Sequence, residues 1–454
     1  MSSSNDCARM LETMALKAEL IDGAAVAALG SAGALAAHLR ALIPAAADVE
    51  EQVRAIVAEV RREGDHALIE HTRRLDWPQA CAEQLIVPTD ELDEAMAALA
   101  PDVYAALERA ITNVAQVAAA ATGEDVAIRL AEGQRIAVRE LPVASAAVYV
   151  PAGRSPYAST VVMGTVTARA AGVLDVAVCT PPGADGRIDP AVLAACRMCG
   201  VDRVYRMGGA QAIAALAHGT ERVSAVDVIV GPGNLYVQEA KRQCAGAVGI
   251  DLFAGPSDLL VVFEGSEHIA AIALDLAAQA EHGHGTLVVA ASPQREALEQ
   301  LGAELERIGE QAQLQPSACV LVQIADGAQG IELANALAPE HLQLVGEALE
   351  QRAPQVRAAG CLFLGPYAGT AFGDYIAGSN HILPTAGAAR FASGLSTAVF
   401  RRRMYEVRMD ARSAATLAEL AAPLALAEDF PLHARSMLAR APGASLYAQD
   451  RELR

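Results

Sequence analysis

The residues best suited to chemistry fall in four short stretches. Gln279-Ala-Glu-His282-Gly-His284 sets an amide and an imidazole three positions apart, on one face at the end of an amphipathic helical pattern. An amide oxygen and an imidazole nitrogen are competent ligands for a divalent metal such as zinc. Read alone, polar capping of a helix end explains this fragment better, and His284 reads as a loop residue. Ala338-Pro339-Glu340-His341 places a carboxylate beside an imidazole, a pair able to activate water and accept a proton. Pro339 fixes the backbone just before them, and a surface turn is the plain alternative. The stretch from Gly373-Asp374 to Asn380-His381 concentrates a carboxylate, an amide and an imidazole in a glycine-punctuated loop. Loops carry function on rigid scaffolds, although a solvated loop that satisfies its own backbone would look the same. Glu428 and His433 add another carboxylate and imidazole near the carboxyl terminus, where an ordinary polar tail explains them better when they are read alone.

The common phosphate loops, G-x-G-x-x-G and G-x-x-x-x-G-K-[ST], are both missing. Two glycine turns remain, Met207-Gly-Gly-Ala-Gln-Ala-Ile and Val228-Ile-Val-Gly-Pro-Gly-Asn, each after a predicted strand and before a predicted helix. Such turns let backbone N–H groups approach a ligand at the carboxyl ends of strands, or they are simply tight connections. Cys196-Arg-Met-Cys199 cannot close a tetrahedral zinc site by itself and falls inside a helical pattern, so its cysteines read as helix residues.

These stretches need a scaffold, and the pattern supplies one. Apolar runs at Val173–Cys179, Val226–Val230, Leu259–Phe263, Leu287–Ala291, Cys319–Ile324 and Cys361–Leu364 read as buried strands. Helical stretches are predicted between most of them, at about 157–171, 189–200, 209–217, 234–245, 268–281, 293–310 and 328–337. This alternation predicts an α/β protein with parallel-rich sheets covered by helices. Upstream, Val49–Leu75 carries an amphipathic helical pattern, two helices follow around Pro101, and residues 126–150 turn to strand character. Residues 1–45 are Ala-rich and read as a helical arm that packs on another subunit. Asp410–Arg440 reads as a helical tail with little core of its own.

The chain has 454 residues, enough for two or three domains. With 53% hydrophobic and 20% charged residues it is not a disordered sequence. A net charge of -19 argues against nucleic acid as a main partner. The charge-free stretch Gly23–Leu39 falls just short of a membrane span and follows acidic residues, so neither a membrane anchor nor a signal peptide is expected. The expected compartment is the cytoplasm, where the eight cysteines would stay reduced.

Taken together, the sequence resembles the histidinol dehydrogenase family from about Val49 to His433. The resemblance is carried in order by Tyr-Val-Pro (149–151), Gly-Gly-Ala-Gln-Ala-Ile-Ala-Ala-Leu (208–216), Gly-Pro-Gly-Asn (231–234), Glu-Ala-Lys-Arg (239–242), Ala-Gly-Pro-Ser (254–257), Gln-Ala-Glu-His, Ala-Pro-Glu-His-Leu and Gly-Asp-Tyr…Gly-Ser-Asn-His-Ile-Leu-Pro-Thr. The resemblance implies oxidation of L-histidinol through L-histidinaldehyde to L-histidine with two NAD, one zinc per site and an intertwined homodimer. It implies Gln279, His282, Asp374 and His433 as zinc ligands, also facing the substrate, with His433 and Glu428 coming from the other subunit's tail. Glu340 and His341 would be the acid/base pair, with His341 also touching substrate. Tyr149, Gln211 and Asn234 would contact NAD, and Ser257, His381 and Glu428 would hold the substrate.

The resemblance also implies two Rossmann-like α/β domains. One is discontinuous, 46–148 with 258–395; the other, on the NAD side, is 149–257; residues 396–454 form a tail with dimer contacts. Three departures from the family's usual pattern stand out, the first being Asn113-Val-Ala-Gln-Val-Ala where an aromatic-His pair is usual near the end of the long early helix. Ala152 replaces a glycine in Tyr-x-Pro-Gly-Gly, which would restrict the turn if it needs positive φ. Asp429 replaces the glycine before the tail histidine stretch. The alternatives are a related zinc/NAD dehydrogenase acting on a sulfonated diol, which would want added cationic side chains, and a non-catalytic metal-binding relative.

Overall fold

The computed structural model describes residues 18–43, 48–152, 156–253, 255–283, 285–312 and 317–440. Much of residues 1–45, the expected arm, and His284 therefore lie outside the described residues. The chain divides into two compact units, one of residues 1–121 and 144–400, the other of 122–143 and 401–454.

The first unit contains two parallel sheets. The larger has six strands in the order Ala18–Ile21, Ala318–Gln323, Leu287–Ser292, Asp258–Phe263, His341–Val345 and Cys361–Leu364. Its central strands are buried on both faces, which is why they read as unbroken apolar runs. One face packs against the Ile269–Ala280 and Arg295–Ala312 helices through Leu276, Leu301 and Leu305. The other packs against Leu35 and Leu39 of Ala32–Ala41 and Leu333 and Leu337 of Gly327–Leu337.

The smaller sheet has five strands in the order Arg203–Arg206, Asp175–Thr180, Ser145–Tyr149, Val228–Val230 and Gly249–Ile250. In chain order this is third, second, first, fourth, fifth, so the chain reverses direction across the sheet between Ser145–Tyr149 and Val228–Val230. A crevice opens at such a switch point. Gly231 sits there with φ 118°, and a β carbon on it would collide with the Tyr149 carbonyl oxygen. Only glycine fits that approach.

Three expectations are corrected. Residues 18–41 are not an arm: Ala18–Ile21 pairs in parallel with Cys319–Val322, and the two following helices join the core of the six-stranded sheet. The Glu50–Glu63 and Asp65–Leu75 helices do not belong with residues 258–395. Val53, Val60 and Leu68 pack instead with Ile213 and Val237 on the five-stranded sheet. Residues 122–143 and the tail form their own unit, because Arg401–Arg408 pairs antiparallel with Arg135–Pro142, which pairs with Val126–Arg129. The tail thus begins with a strand before its helices, Ala411–Ala427 and Pro431–Leu438.

Among the described residues no single helix is long and apolar enough to cross a membrane. The bent pair Gly23–Leu29 and Ala32–Ala41 passes that test only when joined, and Leu35, Ala36 and Leu39 are buried in the core.

Candidate active site and nucleotide cleft

Two places in the first unit gather the chemically competent residues. The first lies at the amino ends of the six-stranded sheet. Ser257 precedes the central Asp258–Phe263 strand, and His341 opens the neighbouring His341–Val345 strand, in register with Leu259. The Gly327–Leu337 helix ends at Ala338, held at φ 47°, and Pro339 then leads the chain into the His341–Val345 strand, with Glu340 and His341 at the sheet's amino end. These two residues are 7% and 2% exposed, so they are not a surface turn. The Ile269–Ala280 helix runs back from the central strand and delivers Gln279 and, just past its end, His282.

The contacts form a chain. Gln279 Nε2 donates to Ser257 Oγ, and Ser257 Oγ donates to Glu340 Oε2. His341 Nδ1 lies 3.8 Å from Glu340 Oε2 and Nε2 lies 3.4 Å from Asp374 Oδ1. Neither ring nitrogen of His341 has a hydrogen-bond partner. His381 Nδ1 donates to the Asp374 carbonyl at 2.9 Å, so Nε2 is the acceptor of Thr160 Oγ1 at 3.1 Å. A ligand reaching His381 through Nε2 would replace the Thr160 bond.

Burial sorts the protonation states. It pushes the Glu340 carboxyl up to about 7, against the pull of His341 and Ser257. Burial also works to raise Asp374, but His341, His381 and His282 around it outweigh that and hold it below the usual carboxylate range. His341 is opposed by burial, yet Asp374, Glu340 and Asp258 together raise it. Desolvation lowers His282 and His381, leaving neutral imidazoles at neutral pH. Two carboxylates driven apart beside a poised imidazole are an acid/base arrangement.

A cation fits this donor set. Gln279 spends its N–H on Ser257, which leaves its amide oxygen. His282 is accessible and neutral, and Asp374 is ionised. Among the described residues no three His, Cys, Asp or Glu side chains are grouped to hold a metal. The set within this unit has one amide and only two side chains of those types. The other two expected residues lie in the second unit. Glu428 caps the Ala411–Ala427 helix, and His433 lies on Pro431–Leu438, its ring 5.1 Å from that of Phe430. Both are exposed. Between them Asp429 adopts φ 62°, the left-handed conformation glycine takes most readily.

The second place is a cleft of about 1230 Å³ lined by Tyr149, Gln211 and Asn234 together with Asp76 and Arg187. Tyr149 ends the first strand of the five-stranded sheet, and its hydroxyl accepts from Gly209 N at 3.1 Å. Asn234 caps the Leu235–Cys244 helix by accepting from Val237 N. Beneath the Gly231 turn, Lys241 Nζ donates to the Gly231 carbonyl at 2.9 Å and pairs with Asp251 at 2.5 Å. Asp251 accepts from Gly231 N at 2.7 Å, so a fully buried ion pair grips both sides of one residue. Ala152 does not take a positive φ, so its β carbon meets no such restriction.

Sequence reasoning missed several residues that hold these sites. Arg40 pairs with Asp258 at 3.1 Å, and Asp258 accepts from Glu340 N at 2.5 Å. Thr160, Lys241, Asp251 and Asp76 were equally silent. Only Lys241 stood inside a noted motif.

The family model for histidinol dehydrogenase matches residues 43–441. The histidinol dehydrogenase of Pseudomonas syringae pv. syringae is 41% identical over 396 residues, covering 86% of this chain and 88% of its own. That of Gluconobacter oxydans is 40% identical over 402 residues, covering 86% and 93%. The chain belongs to the histidinol dehydrogenase family. The crystal structure of histidinol dehydrogenase from Elizabethkingia anophelis superposes with a TM-score of 0.84 at 29% identity, covering 94% of this chain and 99% of that one. Membership of this family makes the chain an NAD-linked oxidoreductase.

Proposed function

We propose that the chain is a zinc-dependent histidinol dehydrogenase that oxidises L-histidinol through L-histidinaldehyde to L-histidine. The observation that carries this reading is the cluster of buried Gln279, Glu340 and His341 with half-buried Ser257 and Asp374, drawn from four separate stretches, with its two carboxylates pushed to opposite sides of their ordinary range. Gln279, His282 and Asp374 would hold zinc, with His433 completing the set from the tail of a second copy in a homodimer, while Glu428 of the same tail would hold the substrate with Ser257 and His381. Exposed Leu420, Leu424, Phe430 and Leu432 on that tail suit burial against such a copy. When bound, zinc supplies a template for the substrate's imidazole and amine, and NAD supplies the hydride acceptor.

The chain's own residues do the rest. His341, with both nitrogens unpaired and a carboxylate on either side, takes the alcohol proton. Glu340, once ionised, takes a proton from the water that attacks the aldehyde, while Ser257 holds its Oε2. Tyr149, Gln211 and Asn234 would contact NAD in the cleft.

The test is stoichiometric. With L-histidinol and NAD, two NADH should appear per histidine, with activity lost to a chelator and restored by zinc. Turnover of a sulfonated diol but not histidinol would overturn the substrate; metal binding without turnover of either would overturn the activity. Mixing a His433→Ala chain with a His341→Ala chain should restore activity if the site is shared, and unmixed levels would count against sharing.

A further inference from the structure

A dinucleotide-binding sheet with strand order third, second, first, fourth, fifth ordinarily carries an acid at the end of its second strand, where it accepts hydrogen bonds from ribose hydroxyls. Here that strand, Asp175–Thr180, runs into Pro181 and Pro182, and the acids of the loop beyond, Asp185 and Asp189, line the cleft but accept from Arg187 N at 3.0 Å and Ala191 N at 2.8 Å. A carboxylate arrives from another element. Asp76 is the C-cap of the Asp65–Leu75 helix, which packs through Leu68 on the same sheet. It lines the cleft.

Its position is fixed from below. Asp76 Oδ2 accepts from Gly208 N at 3.2 Å and from Gln211 Nε2 at 2.9 Å. Gly208 follows the third strand by two residues. A β carbon built on Gly208 would lie 2.5 Å from Pro181 and 3.3 Å from Asp76 Oδ1. The carboxylate therefore sits at the ends of the second and third strands, where such an acid belongs. Both bonds fall on Oδ2, so Oδ1 is the oxygen left for a ligand. Partial burial pushes the group up to about 6, so it is ionised and acceptor-only at pH 8.

We propose that Asp76 selects a dinucleotide whose adenosine ribose bears free hydroxyls, NAD, over one whose 2′ oxygen bears a phosphate, NADP. An ionised carboxylate accepts from a hydroxyl and repels a phosphate in the same place. Arg74, which gives one bond to His71 Nδ1 at 2.9 Å, and Arg187, in the loop after the second strand, also line the cleft and would draw a 2′ phosphate, so the selection requires the Asp76 carboxylate to outweigh them. The proposal rests on the reading of this cleft as the NAD site.

Full-length protein at pH 8 is titrated with NAD, 2′-deoxy-NAD and NADP, and KM is measured for each with L-histidinol. The parent should prefer NAD over both by at least about tenfold, as expected for a hydrogen bond to a charged group. Asp76→Asn, which keeps an acceptor for Gly208 and Gln211, and Asp76→Ala should each cut the NAD-to-NADP ratio by about tenfold or more. If both variants weaken all three nucleotides alike, Asp76 merely holds Gln211 and the proposal fails. If the parent binds NAD and 2′-deoxy-NAD equally, it also fails, while the cleft remains a nucleotide site. If the parent binds no dinucleotide, the reading of the cleft falls with it.

Discussion

The two parallel sheets of the first unit offer opposite ends to chemistry. The six-stranded sheet gathers Ser257, Glu340 and His341 at the amino ends of its strands, whereas the five-stranded sheet opens its cleft beyond the carboxyl ends, at Tyr149, Gly208 and Gly231. Helix polarity explains the division. The Ile269–Ala280 and Gly327–Leu337 helices end at the first place, so their carbonyl ends and the nearby carboxylates favour a cation. The Gly209–His218 and Leu235–Cys244 helices begin at the second, so their N–H ends favour an anion such as a pyrophosphate. One unit thus offers a carboxylate-and-imidazole cluster at the amino ends of one sheet and a cleft at the carboxyl ends of the other. The loop through Asn380 and His381 ties them: Asn380 Nδ2 donates to Met163 O and His381 meets Thr160, both on the Ala158–Ala170 helix that follows the Tyr149 strand.

The sharpest way to break this division is to neutralise Glu340. Glu340→Gln keeps the shape and the Ser257 contact but removes the proposed base. Histidine formation should fall by about 10²–10⁴-fold, the usual weight of general acid–base catalysis, while aldehyde formation survives. Trapping the aldehyde and quantifying histidine separately would measure both steps. Histidine released at the parental rate would remove Glu340 from the mechanism.

On the cleft side, the matching test is Lys241→Met. It leaves Asp251 buried and unpaired beneath the Gly231 turn, and the loss of a buried partner costs about 3–5 kcal/mol. Denaturant unfolding should show that loss, and KM for NAD should rise with kcat for chemistry largely kept. A variant as stable as the parent would mean the ion pair does not hold the turn.

A third test uses pH. Asp76 has its folded pKa raised to about 6 from an ordinary 3.8. Its contribution is therefore fully present below the ordinary value and is lost as pH rises through 6. Relative to Asp76→Asn, the parent should lose up to about 3 kcal/mol between pH 3.5 and 7, because each tenfold change in proton affinity is worth about 1.4 kcal/mol. Unfolding curves for both proteins across that range give the difference directly. A flat difference would show that the carboxylate titrates as it does in the unfolded chain.

The scaffold was far more legible than its wiring. Strands at Leu259–Phe263 and Leu287–Ala291 announced themselves because burial on both faces demands unbroken apolar runs, and Cys361–Leu364 read the same way although it is a half-buried edge strand. Ala18–Ile21 did not, since four residues carry no period and its partner lies three hundred positions away. His341–Val345 hid because its start carries a histidine next to Glu340 and a glutamine, which break the apolar run. The sheet chosen by Glu50–Glu63 was equally invisible: an amphipathic pattern says that a face is buried but not against what. The same limit applies within the sites. Glu340 and His341 stood out by type and adjacency, whereas Arg40, Asp76 and Thr160 act through partners far along the chain.

The smallest effect tests how each place stores its backbone strain. The cleft uses Gly231, where any β carbon would strike the Tyr149 carbonyl. The acid/base place instead tolerates Ala338 at φ 47°, just before Pro339 and Glu340. Ala338→Gly removes a left-handed alanine, worth about 1 kcal/mol, but also deletes a fully buried methyl worth a similar amount. Stability should stay within about 1 kcal/mol of the parent, since the two contributions oppose each other. What should move is the looseness of the Pro339–Glu340 segment, read as faster amide exchange at His341 and a modest fall in kcat. If exchange and kcat both match the parent, the strained alanine holds nothing in place, and Asp258 with Arg40 alone fixes Glu340.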